Sequence, residues 1–388
     1  MKLALIGFGN AGGKVVDAIL KADIAADRTL CRSVLAVNSA STDLKKPELI
    51  PEDKRILIGQ THDKVKGHGV GADPDLGAEI ARMDLYELLR AIDEVPIYDI
   101  DAFLVVAGLG GGTGSGGAPV LAEELSHVYE EPVYGLGILP SEEEGGRATF
   151  NAARSFPTFV EATDNLIVFD NNVWRGSDDS LGGGYERTNR EIAERINSLL
   201  SAGSDQTEEI SETAMDASDV RRTLATGGVS TIAHASAELE PSTRNSRGFL
   251  EHVLGNGHDD VDGAKKISGL VRRAVHSRLT LPASVDSADR SLLVISGPPD
   301  EFSRKGLENA RRWLESETGS IEVLAGDNPM PSANSVSATI LLSTVTDVER
   351  IDALQDRALD AQSNIADHDA DREREIDSLI STEGLEPV

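Results

Sequence analysis

The stretch Leu109–Gly117, LGGGTGSGG, carries the residue types of a phosphate-binding loop. Six of its nine residues are glycine, which lets backbone N–H groups come close to an anion. Thr113 and Ser115 add hydroxyl donors. An apolar run, DAFLVVAG (101–108), precedes the loop, and APVLAEELSHVYEE (118–131) follows it with Val120, Leu121 and Leu125 on one helical face. Strand, glycine loop and helix is an arrangement for holding phosphate at a helix N-terminus. A flexible linker has a similar composition, but linkers are rarely wedged between a buried strand and an amphipathic helix. No Gly-Lys-Ser/Thr follows the glycines, so this is not a Walker A loop.

Other residues of the same kind lie before and after it. Gly7-Phe-Gly9-Asn10-Ala11-Gly12-Gly13-Lys14 follows the first apolar run, KLALI, and contains G-x-G-x-x-G in a strand–turn–helix setting. A dinucleotide site would need an acid at the end of the second strand, Ser33–Val37, which instead runs into Asn38-Ser39-Ala40. Lys66–Gly77, KGHGVGADPDLG, is a third glycine cluster and ends in a helix start at Pro74. Tyr185 and Asn189 stand four apart on a helical stretch and share a side, which suits a purine but is equally ordinary packing. Asp216 and Asp219 flank another helix start, where spacing alone reads as an Asp N-cap with a solvated first turn.

The elements that must position these groups alternate. Strands at 2–6, 33–37, 56–59, 101–108, 132–140 and 165–169 are separated by helical patterns, which predicts a doubly wound, mostly parallel sheet. Ligands of such sheets sit at the carboxyl ends of the strands, where every glycine cluster falls. Residues 175–184 read as a linker and 185–203 as a helix. Strand and helix patterns over 229–360, including a strand at GFLEHVLG (248–255), indicate a smaller α+β unit with a mixed sheet. The expected domains are 1–183 for nucleotide binding, 184–203 as a central connecting helix, 204–360 as the second domain, and 361–388 as a loosely ordered tail with eight acids and two arginines.

Composition bounds the partners. Lys+Arg 37 against Asp+Glu 66 gives a net charge of −29, spread along the chain. Such a surface repels nucleic acid and anionic lipid and looks adapted to high salt, where the Debye length falls to about 3 Å at 1 M. The melting midpoint should therefore rise with salt. The single cysteine, Cys31, excludes an intrachain disulfide or a cysteine metal site. The first apolar run is too short for a signal peptide, and no stretch reaches the length of a membrane span. A cytoplasmic protein without a transmembrane segment is the expectation.

Together these residues resemble the tubulin/FtsZ superfamily, and most closely its archaeal CetZ branch, over roughly residues 1–360. Gly110–Gly116, GGGTGSG, looks like the superfamily's signature phosphate loop. The resemblance implies a GTP/GDP site with Mg²⁺ bridging the phosphates. Its first loop would comprise Gly9, Asn10, Ala11, Gly12, Gly13 and Lys14, with Asn38 in the second. The third would be Gly69, Val70, Gly71 and Ala72, approaching the γ-phosphate, and the fourth Gly108, Gly110, Gly111, Gly112, Thr113, Gly114, Ser115 and Gly116. Glu143 and Arg147 would contact the ribose, Asn171 and Asn189 the guanine, and Tyr185 would stack on it. MDASDV (215–220) is similar to the FtsZ catalytic loop and makes Asp216 and Asp219 the implied catalytic acids, within a loop at 213–220. Ala214 replaces that loop's Asn, so turnover is expected to be slow, and PSEEEGG replaces PFxFEG, which leaves Glu143 and Glu144 as alternatives.

The implied function is a cytoskeletal GTPase that assembles head to tail, each active site completed by its neighbour, with a role in cell shape in a halophilic archaeon. Two other readings are carried: a GTP-regulated scaffold that does not polymerise, and an NAD-dependent oxidoreductase using Gly7–Gly12.

Overall fold

The computed structural model describes residues 1–174, 181–200, 215–239 and 259–362. The expected strand at 248–255, Ala214 and the tail from 363 lie outside the described residues. Strand β1 (Leu3–Phe8) is buried on both faces, Leu3 and Leu5 toward one core and Ala4, Ile6 and Phe8 toward the other. That is the two-sided burial of a parallel sheet covered by helices. Its neighbours are β2 (Cys31–Asn38), β3 (Arg55–Leu57), β4 (Ala102–Gly108), β5 (Val133–Leu139) and β6 (Asn165–Asp170). All five pair in parallel, in the order β3-β2-β1-β4-β5-β6.

The helices in chain order are α1 (Gly9–Ala25), α2 (Ser41–Leu44), α3 (Pro74–Met83), α4 (Leu85–Ile92), α5 (Thr113–Val128), α6 (Gly146–Glu161) and α7 (Asn171–Trp174). The helical stretch after the third glycine cluster is two helices, α3 and α4, parted at Asp84, whose carboxylate accepts from the Gly59 N–H. Helix α8 (Leu181–Leu200) buries Ile192, Ile196, Leu199 and Leu200 against α1 and the sheet. It is tied to α1 by Asn197, which donates to the Ile19 carbonyl at 3.2 Å, and to the second domain by the Ser198–Thr339 hydroxyl pair at 2.7 Å.

The second domain holds α9 (Ala217–Leu224), β7 (Val229–Glu238), α10 (Asp259–Val275), β8 (Arg290–Gly297), α11 (Arg304–Thr318), β9 (Glu322–Pro329), β10 (Ser335–Ser343) and a last helix, α12, over 349–362. Its sheet is mixed: β10 runs antiparallel to β7 and β8, and β9 parallel to β8. The two sheets are continuous, joined through the parallel pairs Leu166↔Val229 and Ile167↔Ser230 into one of ten strands. A buried ion pair also spans the domains, Arg350 on α12 to Asp170 at the end of β6, at 2.9 Å. Burial pushes the Asp170 carboxyl up, with Arg350 opposing that shift.

Candidate functional site: a nucleotide cavity and a distant acid pair

A cavity of about 510 Å³ lies at the carboxyl ends of β1, β2, β4, β5 and β6, within the range of small-molecule sites. Gly9, Asn10, Ala11 and Lys14 enter it from α1, and Asn38 from the end of β2. Gly69, Val70, Gly71 and Ala72 come from the third loop, and Gly108, Gly110, Gly111, Gly112, Thr113 and Gly114 from the fourth. Asn171 follows β6, and Tyr185 and Asn189 reach in from α8. All four loops read as phosphate-binding thus converge on one site.

The first turns of α1 and α5 are built for an anion. Neither helix has a side-chain cap or an acid in its first turn, so their leading N–H groups face the cavity with their partial charge uncompensated. Gly9 has φ +77°, and a Cβ there would stand 2.9 Å from the Gly114 nitrogen, so a side chain would separate the two helix ends. Thr113 is anchored by a 2.6 Å hydroxyl pair with buried Ser39.

Several expected site residues stand elsewhere. Helix α5 begins at Thr113, not Ala118, so Gly114, Ser115, Gly116 and Gly117 are helical residues. Ser115 is buried and its hydroxyl donates to the Gly111 and Gly112 carbonyls, so it supports the loop from behind. A Cβ on Gly116 would overlap the Pro74 carbonyl, which makes it a contact between α5 and α3. Gly12 likewise lets α1 press on the Val106 carbonyl of β4, and Gly13 sits beside Pro47 and Ala36. Glu144, not Glu143, lines the cavity, held by the Ser141 N–H at 2.9 Å and by Asn171 Nδ2 at 3.3 Å. The three-residue turn Glu142–Glu144 makes a capping box that draws Glu144 inward. Arg147 lines a separate cleft with Phe150 and Arg154.

Sequence reasoning missed Asp43 and His68 among the lining residues and left Glu144 as an alternative to Glu143. His68 sits between the glycines of GHGVG, where it reads as loop filler. Asp43 follows Asn38-Ser39 by four residues, on the short helix α2.

Asp216 and Asp219 do not approach this cavity. Asp216 caps α9, accepting from the Ser218 N–H at 2.7 Å and the Asp219 N–H at 3.1 Å, while Asp219 Oδ2 accepts from the Asp216 N–H at 3.2 Å. The Ser218 hydroxyl, then these backbone donors, hold the Asp216 carboxyl below its ordinary value. Helix α9 belongs to the opposite edge of the sheet. Arg221 stands 3.8 Å from Asp101, just before β4, and the Leu224 and Gly227 carbonyls accept from Asn165, the first residue of β6. The seven residues of β4 put about 20 Å of strand between that edge and the cavity.

Comparison with known proteins agrees with both halves of the chain. Residues 2–179 match the tubulin/FtsZ family GTPase domain, and residues 178–360 match the C-terminal domain of tubulin-like CetZ. Tubulin-like protein CetZ1 of Haloferax volcanii is 53% identical over 371 residues, covering 94% of this chain and 93% of that one. The GDP-bound monomer of CetZ1 from Haloferax volcanii superposes with a TM-score of 0.83 at 49% identity, covering 93% of this chain and 100% of that one. The GTPγS-bound protofilament of CetZ2 from the same organism gives 0.82 at 38%, covering 94% and 100%. The dinucleotide reading of Gly7–Gly12 falls, since Asn38 ends β2 and turns its side-chain oxygen to the Ala40 N–H. With its glycine loops on one cavity and the two family matches over residues 2–179 and 178–360, the chain belongs to the CetZ family of tubulin-like GTPases.

Proposed function

We propose that this protein polymerises head to tail in the cytoplasm and that each subunit's GTP is hydrolysed with help from the next subunit's Asp216 and Asp219. The observation that carries the reading is the separation of the acids from the cavity. A carboxylate pair at the opposite end of a rigid sheet cannot serve its own cavity, but translation along the strand direction would carry it to a neighbour's. The contact is heterologous and does not close on itself, so it propagates. Phosphoryl transfer asks for charge neutralisation, which must come from cations and backbone N–H groups of the cavity, and for an oriented water, which two presented carboxylates could position. The protofilament of CetZ2 with GTPγS bound supports self-assembly.

In this reading Gly110–Gly114 and the α1 N-terminus hold the α- and β-phosphates, and Gly69–Ala72 faces the γ-phosphate. Glu144 takes the ribose, Asn171 and Asn189 read the guanine edge, and Tyr185 stacks on its ring. No group of three metal-ligating side chains occurs among the described residues. Asp43 and Glu144 bring single carboxylates to the wall, so Mg²⁺ would arrive on the phosphates and keep much of its water. Mg²⁺ would neutralise phosphate charge. Lys14, on the wall, would add a fixed positive charge. Among the described residues no helix is long and apolar enough to cross a membrane. A filament of this kind would act in shape control, and accessory partners would have to recognise a strongly acidic surface.

Light scattering in molar KCl with GTP, and with GDP as control, tests the proposal alongside phosphate release. Scattering with GTP and a turnover per subunit that climbs with protein concentration are expected. GTP binding without scattering would replace it with the scaffold reading.

A further inference from the structure

Asn151 on α6 joins the two loops that face the nucleotide. It is 3% exposed, stands outside the cavity lining, and its Nδ2 donates to the carbonyls of Ala72 at 3.0 Å, Gly110 at 3.1 Å and Gly111 at 3.2 Å. Ala72 belongs to the third loop, and Gly110 and Gly111 to the fourth. An anion-binding loop must turn its N–H groups inward and its carbonyl oxygens away, because those oxygens repel phosphate. Three such oxygens are gathered here on one amide behind the cavity wall.

The two loops are not anchored alike. The fourth has other supports: the Leu109 N–H donates to the Ile138 carbonyl at 2.9 Å, Ser155 Oγ to the Leu109 carbonyl at 3.4 Å, and Ser115 holds Gly111 and Gly112. The third is tied at its start by the Gly69 N–H on the Ser39 carbonyl at 3.0 Å and closed by the Asp73 N–H on the Val70 carbonyl at 3.2 Å. The Ala72 carbonyl, however, is held by Asn151, and Ala72 has φ +58°, a left-handed conformation that costs a non-glycine residue free energy and persists only where surroundings impose it. The same face of α6 continues to Arg154, which makes a two-pronged ion pair with Asp75, just beyond the third loop, at 2.9 and 3.0 Å. Helix α6 is thus a strap across both loops, and Asn151 is its central fastening.

We propose that Asn151 is a positioning residue that sets the third loop against the fourth, so that the cavity distinguishes a nucleoside triphosphate from a diphosphate. The inference rests on the GTP reading of the cavity. The amide touches no substrate; it acts through the Ala72 carbonyl. Without it the fourth loop keeps its own anchors and still holds a diphosphate, while the third drifts from the position it needs for the terminal phosphate.

The test uses full-length protein in molar KCl, with affinities for mant-GTP and mant-GDP measured separately and phosphate release resolved into kcat and KM. Asn151→Ala should weaken mant-GTP binding about tenfold, the scale of one lost hydrogen bond to a phosphate-facing loop, and leave mant-GDP within about twofold. Asn151→Asp, which aims a carboxylate at three carbonyl oxygens, should widen that gap. Asn151→Ser retains one donor and should show the same asymmetry to a smaller degree, and it serves if the alanine variant does not fold. Equal losses for both nucleotides, or none for either, would overturn the proposal while leaving the GTP reading intact. Wild-type protein that binds neither nucleotide would overturn the reading beneath it.

Discussion

Helices α1 and α5 start at one edge of the sheet without caps, whereas α9 starts at the other edge with a double one. The first two have glycine or apolar residues at the cap position and no acid in the first turn, so their N–H groups remain for a ligand. Asp216 and Asp219 satisfy the N–H groups of α9 reciprocally, leaving acids, not donors, at the surface. One edge is thus prepared to receive negative charge and the other to present it. In the proposed filament the two edges would be halves of one site. Each is locally complete as structure and incomplete as chemistry.

The largest effect should come from Asp216→Asn. Asparagine caps about as well as aspartate, so α9 should stay folded, while loss of the charge should lower phosphate release about 10²–10³-fold. GTP affinity and melting midpoint should hold; turnover near wild type would dissolve the division between the edges. Gly116→Ala comes next. Its Cβ would run into the Pro74 carbonyl, and the cost of parting α5 from α3 should be about 2 kcal/mol in denaturant unfolding, whereas Ala217→Ser in the first turn of α9 should cost under about 0.5 kcal/mol.

Asn10→Asp makes the α1 terminus resemble that of α9. The free protein should gain about 0.3–1 kcal/mol from the helix dipole, while nucleotide affinity falls about tenfold through charge repulsion. A calorimetric titration beside a thermal melt would read both, and matched signs would break the comparison. The smallest effect concerns pH. Because the Asp216 pKa is lowered, its contribution to the cap is present above the unfolded-state value near about 4 and is lost as pH falls through the folded one. Ser218→Ala removes the first cause of that lowering and should move the acid limb of phosphate release upward, with no change above about pH 6.

That the glycine loops gather on one cavity was legible, because a close backbone approach to an anion needs glycine at such density. What could not be read was which glycines serve the ligand and which serve packing. Gly112 and Gly116 look alike in the string GGGTGSGG, yet one lines the cavity and the other meets Pro74 across a helix–helix contact. That outcome depends on where α3 lies, a residue set forty positions earlier in the chain. Glu143 and Glu144 are equivalent in a run of acids until the turn fixes a capping box and draws one of them inward. Asp216 was legible as a helix cap, and the cap is what holds its carboxylate at the surface. Asn151 had no signal at all, since an asparagine inside a helical pattern announces nothing about the carbonyls it will meet. The alternation of strands and helices gave the parallel sheet, but the two-rung junction between β6 and β7 is a long-range pairing that periodicity does not encode.

The length of β4 sets an arithmetic for the assembled state. If each cavity borrows acids from the far edge of the next subunit, a filament always has one fewer completed site than it has members. A single subunit then has no completed site, and a pair has one. Turnover per molecule would start near zero, rise steeply as short filaments form, and flatten as they lengthen. The nucleotide at one end would stay intact for as long as that end is open, so the protein would keep at its tip a record of whether growth is still under way.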